Sequence, residues 1–318
     1  MMAIIGTDLD KAREILDRDE LVAIPTETVY GLAGKAYSEK AILNIFRTKN
    51  RPSFDPLIAH TDSLEKVAAF VKDIPTKAIA IANQFWPGPV TILLEKSAKI
   101  PDVMTSGLPR VAVRIPYHPM TRSLLQSLDY PLAAPSANPF GYVSPTSAQH
   151  VNDNLGDKIT YILDGGECAV GVESTIVGFE DGEVIIYRLG GLSLEQLEKV
   201  AGPVVVRNNQ SSNPNAPGMI KSHYAPTKPL TLLDTKEVAQ TIQEENASAG
   251  FITFSSFSGI RHHYPLTTSN DLDEAAANLF AALRFFEGLP VSKIYAEKVP
   301  VKGLGRAIND RLQRAAAH

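Results

Sequence analysis

Ile24-Pro-Thr-Glu-Thr-Val-Tyr-Gly-Leu-Ala-Gly34 is the stretch whose reading decides the fold. Leu21-Val-Ala-Ile24 reads as a strand that breaks at Pro25. The chain then passes two threonines and a glutamate and leaves through glycines. Polar groups are thereby set at a strand's end, which is where layered α/β proteins hold small ligands. Taken alone, the stretch serves equally well as an ordinary strand-loop-helix connection. Its neighbours change that balance.

On the N-terminal side, Ala12, Ile15 and Leu16 recur at helical spacing from Asp8 to Glu20, with Thr7 or Asp8 as N-cap. On the C-terminal side, Ser38 caps a second helix to Phe46, followed by Arg47-Thr-Lys-Asn-Arg-Pro52. Pro52 pushes Arg51 into an extended conformation. If Lys49 is extended too, the two cations share a side next to the strand Pro56–His60. They are then a candidate phosphate clamp, although cations at a helix C-terminus are favourable without any ligand. Residues 63–86 read as two helices and Val90–Lys96 as a strand. In Arg110–Pro116, Val111, Val113 and Ile115 share one face, while Arg110, Ala112 and Arg114 share the other. That second face is a basic slot or a solvated surface; arginine's planar fork suits carboxylate and phosphate.

His118–Leu128 reads as a helix. Pro131–Asn138 begins as a strand and ends as a turn, and Ser147 caps a helix to about Leu155. Ser136, Asn138 and Ser144 carry groups able to line a phosphate or ribose, but turn chemistry alone accounts for the same residue types. Ile159–Asp164, Val172–Gly178 and Glu183–Gly190 read as strands, the last two joined by a hairpin turn at Asp181-Gly182. Ser193–Val200 is a helix and Val204–Val206 a strand. Consecutive strands after alternating helices and strands predict a twisted mixed sheet with helices against it. From Asn208 the chain turns rich in Pro and Asn, which marks a linker over residues 208–228. Residues 229–318 alternate strand and helix, as a small open α/β (Rossmann-like) domain does. Residues 1–207 form the first domain in this division.

Composition narrows the function. The 318 residues are 44% hydrophobic and 21% charged, with net charge -4. This describes a soluble globular chain whose surface as a whole is not built for nucleic acid. Cys168 is the single cysteine, so no internal disulfide or cysteine-based zinc site is expected, and a reducing cytoplasm fits. No signal peptide, membrane span, Walker A pattern or Gly-x-Gly-x-x-Gly fingerprint is visible. No nucleophilic triad or metal-ligand spacing stands out. Cations beside strand ends and hydroxyl residues (Lys49/Arg51, Arg110/Arg114, Arg188) point to a modest polyanion such as a nucleoside triphosphate.

Six ordered motifs carry a resemblance: Pro25-Thr-Glu-Thr-Val-Tyr-Gly-Leu32, Lys49-Asn-Arg-Pro52, Val111-Ala-Val-Arg-Ile-Pro116, Ala134-Pro-Ser-Ala-Asn138, Gly171-Val-Glu-Ser-Thr-Ile176 and Ser222-His-Tyr-Ala-Pro226. Together they resemble the threonylcarbamoyl-AMP synthases, the YrdC-like proteins, in their long two-domain form. The resemblance implies that L-threonine, bicarbonate and ATP give threonylcarbamoyl-AMP and pyrophosphate. A separate tRNA-modifying transferase then accepts the product, and weak contact with tRNA is compatible. By this analogy Thr26, His60, Arg114 and Ser174 hold threonine. Lys49 and Arg51 are the catalytic cations. Arg51, Asp55, Arg110, Ser136, Asn138, Ser144, Arg188 and Tyr224 face ATP, with Mg²⁺ on its phosphates and no dedicated metal site. Tyr224 would let the linker close over the site. Asp55 stands where the family often has Asn, and Arg110 where it often has Thr; an anion at 55 needs Mg²⁺ or Arg51 to offset it. Two other readings use the same cations: a double-stranded RNA or tRNA-binding module, and an ATP-dependent carbamoyl-transfer enzyme.

Overall fold

Side-chain caps start the helices where the sequence places them. Asp8 accepts from the Lys11 N–H at the head of Leu9–Asp17, Ser38 from Ala41 at Glu39–Lys49, and Ser147 from His150 at Ala148–Leu155. Each cap satisfies a backbone N–H that the first helical turn leaves open. The computed structural model describes residues 2–207 and 224–317. Residues 208–223 of the expected linker therefore lie outside the described residues, as do Ser222 and His223 of its motif.

The first sheet is built from β1 (Ile4–Gly6), β2 (Val22–Ile24), β3 (Gly31–Lys35), β4 (Ile58–His60), β5 (Val90–Glu95), β6 (Arg110–Arg114), β7 (Leu132–Ala133), β8 (Tyr161–Leu163), β9 (Thr175–Glu180), β10 (Glu183–Arg188) and β11 (Val204–Val206). Its order is β1-β8-β2-β3-β7-β4-β6-β5-β9-β10-β11, with parallel and antiparallel neighbours mixed. Asp181 and Gly182 turn β9 into β10 with φ of 51° and 80°. A two-residue hairpin turn of this hand needs positive φ at both positions, which Asp-Gly supplies.

The opening motif is not a strand-loop-helix connection. β2 pairs antiparallel with β3, Val22 opposite Ala33 and Ile24 opposite Gly31, so residues 25–30 are the loop of a hairpin. Glycines obscure β3 in the sequence. A Cβ at Gly34 would come within 2.9 Å of the Leu21 side chain and 3.3 Å of Ala41 and Ile45, so close packing favours glycine there. β1 and the short strand His263–Pro265 also escape a reading by pattern.

Parallel pairing of β4 with β6 sets His60 beside Arg114. β9 begins one residue after Ser174, and β10 ends at Arg188 after a register shift between Ile186 and Arg188. Irregular pairing of this kind re-aims a side chain at a strand's end. The polar residues of the motifs thus meet at neighbouring strand ends.

The second sheet holds β12 (Leu230–Leu233), β13 (Ala249–Thr253), β14 (His263–Pro265) and β15 (Lys293–Glu297), all parallel, in the order β12-β15-β13-β14. The helices Leu272–Phe285 and Gly305–Ala315 bury Leu279, Phe280, Leu283, Ile308 and Leu312 in its core. Val29, Val143, Val172 and Tyr224 belong to that same buried cluster. The two sheets therefore share packing at the motif loops. Among the described residues no helix is long and apolar enough to cross a membrane.

Gly171 marks a close approach between the two sheets' units. Its φ is +72°, and a Cβ would lie 2.4 Å from Ala277 Cα in the helix Leu272–Phe285. Gly171→Ala should therefore destabilise the chain by about 3 kcal/mol in urea unfolding, combining backbone strain with overpacking. An unchanged midpoint would contradict this close contact.

Candidate functional site

The hairpin loop organises itself around one hydroxyl. Thr26 Oγ1 accepts the N–H groups of Thr28 and Val29 at 3.1 and 3.2 Å and donates to the Val29 carbonyl at 2.6 Å. Such a turn is held by its own side chain. Thr28 Oγ1 lies 2.9 Å from Thr26 Oγ1 and accepts from Arg114 Nη1 at 2.8 Å. Arg114 Nε donates to the Gly88 carbonyl at 3.2 Å, and Nη2 lies 2.7 Å from Glu27 Oε1. That last contact is an ion pair without hydrogen-bond alignment. Glu27 Oε2 accepts the Tyr117 N–H at 3.0 Å. A guanidinium has five N–H donors, so Arg114 keeps donors that these contacts do not use.

His60 lies next to Arg114 in the sheet, with Nδ1 3.2 Å from the Ile58 carbonyl. Burial, with Arg114 nearby, depresses its pKa to about 3, so the imidazole is neutral. Ser174 and Arg188 form the facing wall. Ser174 Oγ is 2.7 Å from Thr91 Oγ1, while Arg188 donates through Nη2 to Ser174 Oγ and through Nε to the Ser174 carbonyl, both at 3.1 Å. Burial lowers Arg188 to about 10, which leaves it charged near neutrality.

Glu173 is the buried carboxylate of this wall. Its Oε1 accepts from Ser144 Oγ at 2.7 Å and its Oε2 from Arg311 Nε at 2.9 Å. Burial would raise its pKa, but Arg311, Arg188 and the Ser144 bond outweigh burial and hold it at about 2. Arg311 also donates to the Leu189 carbonyl and to Asp310.

Lys49 differs from its expected conformation. The helix Glu39–Lys49 runs through it and ends on Asn50, which takes the left-handed conformation at φ 51°. Lys49 and Arg51 consequently diverge. Lys49 Nζ donates to the carbonyls of Ser136 (2.6 Å) and Asn138, so it staples that turn from behind. Burial, then Arg51, holds its pKa well below the usual lysine value. Arg51 reaches the Asp55 carboxylate at 2.9 Å and the carbonyls of Asp55 and Pro56 at 3.0 Å. Arg51 thus offsets the anion at position 55.

One pocket of about 590 Å³, part of it open to solvent, gathers Thr26, Thr28, His60, Arg114, Glu173, Ser174, Arg188, Arg51, Ser136 and Tyr224 on its walls. The expected threonine set lies there in full, with Arg51, Ser136, Arg188 and Tyr224 of the ATP set. Lys49, Asp55, Asn138 and Ser144 stand behind the wall, each bonded to a lining residue or its turn. Asn138 Nδ2 holds its own turn through Pro139 and Tyr142. Arg110 lies elsewhere. It shares a face with Arg114, but the four-residue separation spans about 13 Å of strand, and its guanidinium bonds Tyr187 Oη at 3.1 Å beside Glu180. Glu27, Thr28 and Glu173 fall inside the quoted motifs without having been singled out. Arg311 carries no sequence signal, since it reads as one more cation on an amphipathic helix.

Among the described residues no three His, Cys, Asp or Glu side chains cluster as a metal site. Glu27, Asp55 and Glu173 are each committed to an arginine.

Two family models match successive parts of the chain. The Sua5/YciO/YrdC family model, described as "Telomere recombination", matches residues 14–190. A second, "Threonylcarbamoyl-AMP synthase, C-terminal domain", matches residues 192–317. The chain is 40% identical to the threonylcarbamoyl-AMP synthase of Pyrococcus abyssi, over 94% of this chain and 91% of that protein. It is 37% identical to the Bacillus subtilis protein of the same name, over 96% and 92% respectively. The crystal structure of P. abyssi Sua5 complexed with L-threonine superposes with a TM-score of 0.93 at 38% identity, covering 99% of this chain and 98% of that one.

The buried neutral His60 makes a stability prediction. Its folded pKa, about 3, lies below the ordinary 6.5. Between those values the unfolded chain holds a proton that the folded chain refuses, so stability falls as pH drops through this window. At pH 5 the loss is about 2 kcal/mol from this one group. In His60→Gln, the stability difference between pH 7 and pH 5, read by urea unfolding, should shrink by about that amount. An unchanged difference would mean that His60 titrates normally.

Proposed function

The chain belongs to the threonylcarbamoyl-AMP synthase family, and from that premise we propose that it converts L-threonine, bicarbonate and ATP into threonylcarbamoyl-AMP and pyrophosphate. The product would serve the threonylcarbamoyl modification of tRNA, handed to a separate transferase in the cytoplasm. The observation that carries this reading is Arg114: a buried guanidinium with unused donors, next to a neutral His60, in the same pocket as Arg188.

The chemistry asks little covalent work of the protein. Threonine's amine and CO₂ from bicarbonate give a carbamate. A carbamate oxygen attacks the α-phosphorus of ATP, and pyrophosphate leaves with the electron pair of the broken P–O bond. Positioning and neutralisation of charge supply the catalysis. Arg114 would pair the threonine carboxylate, with Thr26, Thr28 and Ser174 shaping the space around the side chain. Because His60 is neutral, the cation it leaves beside the carboxylate is Arg114, held in place by Glu27. Arg188 and Arg51 would face the phosphates, and Ser136 and Tyr224 the nucleoside. Lys49 would act by holding the Ser136–Asn138 turn. Arg110 is left out of the ATP site by its position. Mg²⁺ would arrive on the phosphates as part of the substrate, since the pocket's carboxylates are already bound to arginines.

Pyrophosphate release from Mg-ATP and bicarbonate should require L-threonine and fall sharply with L-serine. Turnover indifferent to threonine would contradict the proposal. Arg114→Ala should raise the threonine KM about 30-fold or more, the cost of removing a buried charged partner; near-normal kinetics would remove its carboxylate role.

A further inference from the structure

Three buried carboxylates border the pocket, and two of them pair with arginines of the first sheet's own unit, Glu27 with Arg114 and Asp55 with Arg51. The third, Glu173, takes its arginine from the far end of the chain. Arg311 lies on the helix Gly305–Ala315, is fully buried, and spends Nε on Glu173 and Nη2 on the Leu189 carbonyl. It therefore ties together the residue before Ser174 and the residue after Arg188. Among the described residues, Arg188 has no carboxylate within ion-pair distance.

We propose that Arg311 is a positioning residue for the nucleotide site: it holds the Glu173 carboxylate and so keeps Arg188 available for a triphosphate. This rests on the synthase reading for the identity of the ligand, but the geometry concerns any polyphosphate. A buried carboxylate stripped of one cation takes the next one within reach. Arg188 is that next cation: it is the other arginine whose field acts on Glu173. Drawn onto Glu173, its guanidinium would leave the Ser174 hydroxyl and carbonyl that now hold it and turn away from the phosphates.

The second unit is built to deliver Arg311 accurately. Gly171, two residues before Glu173, lies against the backbone of the helix Leu272–Phe285 with no room for a Cβ. Val172 and Val143, which flank Glu173 and Ser144, sit in that unit's core, as does Val29 next to Thr28. Arg284 donates to the Val143 carbonyl and, at 2.8 Å, to Asn154. Tyr224 stacks on Phe280 at 5.5 Å, with the Arg311 and Arg314 guanidinium carbons 5.3 and 4.8 Å from its ring centre. The C-terminal domain thus packs behind residues that line the site.

The test is calorimetric titration of the full chain with Mg-ATP, alongside threonine-dependent pyrophosphate release. Arg311→Met should weaken Mg-ATP binding about tenfold, as expected for a misdirected buried charge, and leave the threonine KM within about twofold. Arg306→Ala is the control for simple docking. Arg306 pairs with Glu195 at 2.5 Å across the same two units and stays clear of Glu173. It should change neither constant. Arg311→Met/Glu173→Gln removes anion and cation together and should recover most of the affinity; it also serves if Arg311→Met fails to fold. Wild-type affinity in Arg311→Met, equal weakening in Arg306→Ala, or a folded double variant still weakened tenfold would each overturn the proposal. A wild-type chain that binds Mg-ATP without threonine-dependent turnover would sink the synthase reading and leave this one to be judged on binding. No nucleotide binding at all would overturn both.

Discussion

A carboxylate taken out of water needs a cation, and this pocket takes three out of water. Glu27, Asp55 and Glu173 each meet an arginine within 2.9 Å. Such pairs add little net stability, because removing both ions from water costs about as much as their attraction returns. What they do is fix geometry. Each anchors one arginine at one strand end, at the head of the opening hairpin, beside β4 and before β9. Among the described residues Arg188 bonds hydroxyl and carbonyl groups and no carboxylate, which suits it to an incoming anion. A reaction that uses no side-chain nucleophile depends on charges placed in advance, and here they are placed by carboxylates as much as by arginines.

Much of the site was legible because short motifs keep strand and loop chemistry together. Thr26, His60, Arg114, Ser174 and Arg188 all lie at or within two residues of a strand end, and the motif resemblance is what singles them out. Three readings went astray for physical reasons. β3 is glycine-rich, so a hairpin looked like an exit into a helix. Asn50 can adopt the left-handed cap, so the helix kept Lys49, which points into the Ser136–Asn138 turn. Arg110 shares a strand face with Arg114, but a face is not a pocket, and the length of β6 carries Arg110 to Tyr187. Arg311 lay beyond any local reading, because its partner Glu173 is far away in sequence and a basic helix normally faces water.

The two sheets are better described as one site with two sources than as a catalytic domain with an appendage. Apolar residues from three loops of the first unit pack in the C-terminal core, and each is next to a polar residue at or behind the pocket wall: Val29 by Thr28, Val143 by Ser144, Val172 by Glu173. Close packing transmits small displacements, so movement of the helix Gly305–Ala315 has to be felt at Glu173.

The most direct measurement is a crystal structure of this chain with L-threonine and a non-hydrolysable ATP analogue with Mg²⁺. Arg188 should lie within hydrogen-bond distance of a phosphate oxygen while Arg311 still holds Glu173. A structure in which Arg188 pairs with Glu173 and the phosphates lie elsewhere would contradict this arrangement.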